Sequence, residues 1–414
     1  MVWLLCALSL RKETVSVTLT TLLKYSSKKL KEDYRDYSIF CVVFDPYTPD
    51  QLPKLRNKGN EKSLGITYQI NDATNIEKIN FTEFLSSDIT KINLTLYLTK
   101  MLHSHFSDKF QHCFSIAQNQ LRENDASETI LDFSHDEADT LLIWFCIYCR
   151  IRFGNEIQMD LICSDTDVLL LALDFAEKLP YNTIFKALSY NICIGSAHNA
   201  LGKRLCESVL SLHAITGSDK NGKFAGRGKL MWLKKFIEFN NESLYEQMNL
   251  FGQEAIISEE FIAAISSFIS YVYTGKQVTL SKARWILFTK LKEGEDLPPT
   301  PSAFYQHCLR ALWQTYEWKC SAQNIAVKVD PLEYGWCKDD DIYYAIPMSH
   351  DAIPSNIIEL VVCKCKGKCD SARYCACKRS SQQSVCTELC QCTELCENTD
   401  FDEVHGVDSD PEDD

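Results

Sequence analysis

The chain has 414 residues, 45% of them hydrophobic, and a formal net charge of −13. That length and apolar content can bury a substantial core and suggest two or three domains. The acidic balance excludes binding to nucleic acid through overall charge, so any such contact must come from local basic patches.

The opening MVWLLCALSLRKE has an apolar run with no basic residue before it and no clear small-residue cleavage site. The run is too short for a bilayer, which needs roughly 20 apolar residues, and no other stretch comes closer. It reads as the start of a buried element, and the chain is expected to be soluble and intracellular with no membrane partner.

Two short apolar runs then end in carboxylates. Ile39–Phe44 is closed by Asp45 and a Pro-containing turn, and Leu161-Ile162-Cys163 is closed by Ser164-Asp165-Thr166-Asp167 before an apolar stretch to Leu179. Strand, loop and helix in that order is parallel α/β grammar, in which strands covered on both faces are continuously apolar. Ligands of such sheets bind at the carboxyl ends of the strands, where these acids fall. Between the two runs, Ala138–Arg150 is apolar nearly all round and suits a buried helix with Glu137 at its start. Its Cys146 and Cys149 read as core thiols. Farther on, residues 212–219 (LHAITGSD) add Asp219, and Gly226-Arg227-Gly228-Lys229 has the composition of a solvated turn. From about Phe251 to Trp318 the pattern is helical, with FIAAISSFISYVY its strongest block and LPPTPSAF a linker or turn. Residues 326–360 look irregular, and the acidic residues 400–414 are expected to be disordered.

Of twenty cysteines, eleven are scattered over the first 340 residues and nine fall between Cys363 and Cys396. A secreted disulfide scaffold would spread them through the fold. The order is Cys363-x-Cys365, Cys369, Cys375-x-Cys377, Cys386, Cys390-x-Cys392, Cys396. Pairs one residue apart do not readily bond to each other but can place two thiolates around metal ions. Zinc takes four ligands, so nine sulfurs suit about three ions only if some sulfurs bridge. So short a segment has almost no apolar core, and metal binding would supply its folding free energy. Lys364, Lys366, Lys368, Arg373, Lys378 and Arg379 form a dense basic run in the first half of this segment. They would either touch phosphates or balance the thiolates.

This series resembles the CXC repeat of tesmin/TSO1-like proteins, with Tyr374 before Cys375 and Asn398 two residues after Cys396. The resemblance implies a zinc cluster that binds DNA, with Tyr374 and the basic residues as contacts, and a nuclear location. Members carry two repeats where this chain has one. The order VVFDPY, HDEADT, SDTDVLLLAL, LHAITGSD and GKFAGRGK resembles the PIN-like core of flap endonucleases, and more closely transposon-associated proteins that join such a core to a CXC segment. That resemblance implies that Asp45, Glu137, Asp165, Asp167 and Asp219 bind Mg²⁺ or Mn²⁺, and that Arg227 and Lys229 belong to a hairpin gripping duplex DNA. Two departures stand out: the first Asp in the chain is Asp33, in a polar stretch, and His135 occupies a position where flap enzymes have a carboxylate.

The expectation is therefore an α/β protein. Residues 1–240 would form a parallel-sheet, PIN-like core with an incomplete N-terminus, 241–325 a helical region, 326–360 a linker and 361–399 the zinc module, before the acidic tail. Its expected function is that of a mobile-element-derived DNA-binding protein with a degraded nuclease-like core. The alternatives are an active metal-dependent, structure-specific nuclease, or a zinc-stabilised protein-interaction module without DNA binding.

Overall fold

The computed structural model describes residues 34–47, 66–74, 79–106, 108–125, 127–290, 297–325, 328–339 and 342–350, with Glu32 and Leu52. In the C-terminal segment it describes Cys369, Ser371, Arg373, residues 375–379, Cys386, Cys390, Cys392, Cys396 and Asn398. The chain divides into two compact units, Met1–Pro347 and Met348–Asp414.

The larger unit opens with strand β1 (Ile39–Val43), the short helix α1 (Phe81–Phe84) and helix α2 (Asp88–Phe106). Strands β2 (His112–Ala117), β3 (Gln120–Glu123) and β4 (Leu131–Asp132) complete a four-stranded sheet ordered β1-β2-β3-β4. The period-2 alternation of β1 explains why it is apolar throughout. Phe40, Val42 and the following Phe44 pack with Leu98, Leu102 and Phe106 of α2. Ile39, Cys41 and Val43 pack on the other face with Leu141, Trp144 and Phe145 of helix α3 (Ala138–Phe153). Cys146 and Cys149 of α3 are buried core thiols, as expected.

After α3 come β5 (Gln158–Ile162), helix α4 (Thr166–Asp174), β6 (Asn182–Lys186) and β7 (Asn191–Cys193), the strands forming a second sheet ordered β5-β6-β7. Helices α5 (Ile194–Leu201), α6 (Lys203–Ile215), α7 (Lys229–Phe239), α8 (Glu242–Leu250), α9 (Glu259–Thr274), α10 (Leu280–Phe288) and α11 (Pro301–Lys319) follow. Several are capped by side chains in the expected way: Asn241 starts α8, Ser258 α9, Thr279 α10 and Thr300 α11. Pro301 opens α11, so LPPTPSAF is not a linker throughout; it runs into the first helical turn, where proline is tolerated.

Three expectations change. The described strands do not form one parallel sheet. Only β1–β2 and β5–β6 are parallel, while β2–β3, β3–β4 and β6–β7 are antiparallel. The cause is local, because β2 and β3 are joined by Gln118 and Asn119, both at positive φ, a connection too short for a crossover. Residues 241–325 are not a separate body either, since Phe261, Phe268, Phe304 and Trp318 share one core with Val168 and Leu171 of α4. Within residues 326–360, strands β8 (Trp336–Asp339) and β9 (Ile342–Ala345) form an antiparallel hairpin. Among the described residues, no helix is long and apolar enough to cross a membrane. The second unit contains the short helix α12 (Ala376–Arg379) and a cluster of buried cysteines.

Candidate metal centres

The carboxyl ends of β1 and β5 bring acids together around the first turns of two helices. Asp165 is the N-cap of α4, and its Oδ1 accepts the Asp167 N–H at 3.0 Å. This turns Asp167 toward the same side. At α3 the N-cap residue, Glu137, makes no side-chain capping bond. Asp45, just past β1, does that work from a distance, accepting the Ala138 N–H at 3.0 Å. The helix N-terminus favours this negative charge. Asp139 lies in the first turn of α3, and one carboxylate oxygen from each of Asp139, Asp165 and Asp167 falls within 4.8 Å of the others. Burial, then the charges of Glu137, Asp165, Asp45 and Asp167, push the Asp139 carboxyl well above the usual carboxylate range. Close carboxylates of this kind are hard oxygen donors suited to Mg²⁺ or Mn²⁺. A cation there would offset the burial and the neighbouring charges that push the Asp139 carboxyl up.

The surroundings fix these groups. His213 on α6 places Nε2 2.8 Å from Asp167 Oδ1, and its ring packs on Trp318. Lys229, at the start of α7, donates to the His213 carbonyl at 2.6 Å. Glu137 Oε1 lies 3.9 Å from the Lys220 ammonium, which donates to the Leu52 carbonyl at 2.7 Å. Glu317, on α11, is pushed up to about 7 by burial and then by Asp136, against the pull of Lys328.

Of the acids expected from sequence, Asp165 and Asp167 thus belong to the close group, with Asp45 and Glu137 near enough to act on Asp139 electrostatically. Asp219 is not in the close group. It lies in the turn after Gly217, where φ is +120° and a Cβ would sit 2.9 Å from Lys223 Cγ, which explains the glycine. Sequence reasoning missed Asp139 and His213. The signal for Asp139 was the acid run Asp136-Glu137-x-Asp139 entering an apolar helix. His135 takes no part, since its two ring nitrogens are each 2.8 Å from Thr140 Oγ1 and the Gln323 carbonyl. Arg227 stacks over the Tyr273 ring at 3.5 Å and donates to the Ala225 carbonyl.

In the second unit, Sγ atoms of Cys369, Cys386, Cys392 and Cys396 lie within 4.8 Å of one another, as do those of Cys375, Cys377 and Cys386. Cys386 belongs to both groups. Cys375 and Cys386 are 3.6 Å apart, and Cys377 and Cys390 are 3.7 Å apart. Two thiolates on one tetrahedral zinc, at about 2.3 Å each, are separated by about 3.8 Å, so these spacings fit shared metal ions. None of the described cysteines is disulfide-bonded. Burial opposes ionisation of Cys375, but the Lys378 backbone N–H and the Cys386 thiol bring it down to about 7. Asn398 clamps the shared residue, donating from Nδ2 to Cys386 Sγ at 3.4 Å while its carbonyl accepts the Cys386 N–H at 2.6 Å. Seven of the nine expected cysteines can therefore hold metal together. Cys363, Cys365, Lys364, Lys366, Lys368 and Tyr374 lie outside the described residues, as does the Arg379 side chain. Arg373 is exposed. Lys378 donates to the Cys369 carbonyl at 3.4 Å, which keeps its charge beside the thiolates.

No protein-family model, no curated protein and no solved structure matches the chain.

Proposed function

We propose that this chain is a DNA-binding protein whose C-terminal segment is folded around zinc and whose carboxylate centre takes Mg²⁺ or Mn²⁺. The observation that carries the reading is Cys386, common to two cysteine groups at spacings suited to bridged zinc. A bridging thiolate lets few residues hold several ions, and the rigid core that results can present Arg373 and its basic neighbours to phosphates. A nuclear location and a mobile-element origin accompany this reading through the resemblance alone.

The test is retardation of labelled duplex DNA by the full chain. Binding should weaken steeply between about 50 and 200 mM salt and disappear when zinc is chelated. If the zinc-loaded chain fails to retard DNA at low salt, the C-terminal unit is a protein-interaction module instead.

A second reading, an active nuclease, is favoured by one observation: Asp139 joins Asp165 and Asp167, with Asp45 and Glu137 beside them. Asp139, Asp165 and Asp167 would hold the cation, which when bound lowers the pKa of water and offsets charge on a phosphodiester. His213 would orient Asp167 through their hydrogen bond. Mg²⁺-dependent cleavage of branched or single-stranded DNA should be lost in an Asp165→Ala, Asp167→Ala variant. Equal rates for the two proteins would remove the enzyme reading.

A further inference from the structure

A cavity of about 280 Å³ lies beside the first half of α11 in the larger unit. Ala303, His307 and Arg310 line it from α11, spaced four and three residues apart and so on one helix face. Lys223 and Phe224 line it from the turn before α7, and Tyr273 lines it from α9. Arg310 is only 7% exposed. Its Nη1 donates to the Gly335 carbonyl at 3.1 Å and the Ile346 carbonyl at 2.8 Å, while Nε is buried with no hydrogen-bond partner. Gly335 permits this approach, since its φ is +78° and a Cβ there would sit 3.2 Å from Nη1. Carbonyls satisfy donors without neutralising the charge. Burial therefore pulls Arg310 down to about 10 and still leaves it cationic at neutral pH.

Two further cations adjoin the cavity. Lys223 is exposed, and Arg227 lies over the Tyr273 ring. Among the described residues none of the three cations is paired with a carboxylate, although the chain has 56 acids to 43 bases. His307 adds no charge, because burial holds its pKa at about 4 and its Nε2 lies 2.6 Å from the Ile215 carbonyl. A guanidinium can grip an oxyanion through two parallel N–H groups. With Nη1 of Arg310 on two carbonyls, the edge formed by Nε and Nη2 is the one left for such a grip. We infer that this cavity binds a small phosphate monoester, its phosphate on Arg310 with Lys223 as the second cation and its organic part against Phe224 and Leu297. A phosphate monoester carries close to two negative charges at neutral pH, enough for both cations, where a carboxylate carries one. The volume suits a small ligand, and the apolar walls suit an organic substituent. The site is separate from the zinc and acid centres and does not depend on the function proposed for them.

Isothermal titration calorimetry of the full chain with phenyl phosphate, at low salt and without added divalent ions, tests this. Phenyl phosphate should bind with a Kd of about 1 mM or tighter, and benzoate at least about tenfold more weakly. Lys223→Gln, at an exposed position, should weaken phenyl phosphate about fivefold and leave the urea midpoint of the free protein unchanged. Arg310→Lys keeps a charge but loses the planar fork, and should weaken binding by more than about tenfold. Equal affinity in the native and Lys223→Gln chains would overturn the proposal, even if the Arg310→Lys chain fails to fold. So would a native chain that binds no phenyl phosphate, or one that binds benzoate equally well. Loss of DNA retardation in the Lys223→Gln chain, with phenyl phosphate unbound by the native one, would overturn it by assigning these cations to a nucleic-acid surface.

Discussion

Replacing Cys386 with serine separates a bridged zinc cluster from a set of independent sites. Cys386 contributes to a group with Cys369, Cys392 and Cys396, and to another with Cys375 and Cys377. Cys390 has its close thiol neighbour, Cys377, at 3.7 Å and is absent from both groups. About three tetrahedral zinc ions need about twelve thiolate contacts, so nine cysteines suffice only when some sulfurs serve two metals. A serine hydroxyl stays protonated and does not bridge. Cys386→Ser should therefore lower the zinc content of the full chain by about two ions, and Cys390→Ser by about one. Because each structural zinc contributes on the order of 10 kcal/mol to folding, the Cys386→Ser segment should also become protease-sensitive, whereas the Cys390→Ser segment keeps partial resistance. Plasma mass spectrometry of the purified proteins, calibrated by amino-acid analysis, measures the metal. Equal zinc loss in the two variants would refute the bridging role.

The other predictions concern the larger unit. Asp139 holds its proton more tightly folded than unfolded, so its contribution to stability is present below the usual carboxylate pKa and is lost as pH rises through the folded value. Asp139→Asn should accordingly raise Tm at pH 8 without divalent ions and remove the further rise that Mn²⁺ gives the native chain; an undiminished Mn²⁺ response would exclude Asp139 as a ligand. Glu317 follows the same sign, with its contribution lost between pH 4.5 and about 7. Glu317→Gln should then be more stable at pH 8 by up to about 3 kcal/mol, with little difference at pH 4, as read by urea denaturation. At Gly252, φ is +84° and an added Cβ would sit 2.5 Å from Thr315 Cγ2, so Gly252→Ala should cost about 2–4 kcal/mol, seen as a lower urea midpoint.

What could be read from sequence follows the range of the interactions involved. Strand β1 and helix α3 were legible because burial on both faces writes continuous apolar residues into a short window, and Ile39–Val43 and Ala138–Phe153 have little else. The cysteine cluster was legible because its ligands lie within one short stretch, although spacing alone could not show that Cys386 is the shared sulfur. The sheet pairings were not legible. Whether a strand pairs in parallel depends on its connection, and Gln118-Asn119 carries neither the glycine nor the proline that usually marks a tight hairpin. The acid centre lay between these cases. Asp165 and Asp167 stand out at a strand end, but Asp139 looked like one more charge at a helix start. What makes it special is Asp45, which reaches the Ala138 N–H across 93 positions and draws the end of β1 to the first turn of α3. The same contact explains why neutralising Asp139 alone should stabilise the fold. The acids around it are held in place by caps and by His213, so they remain crowded whether or not a cation is present.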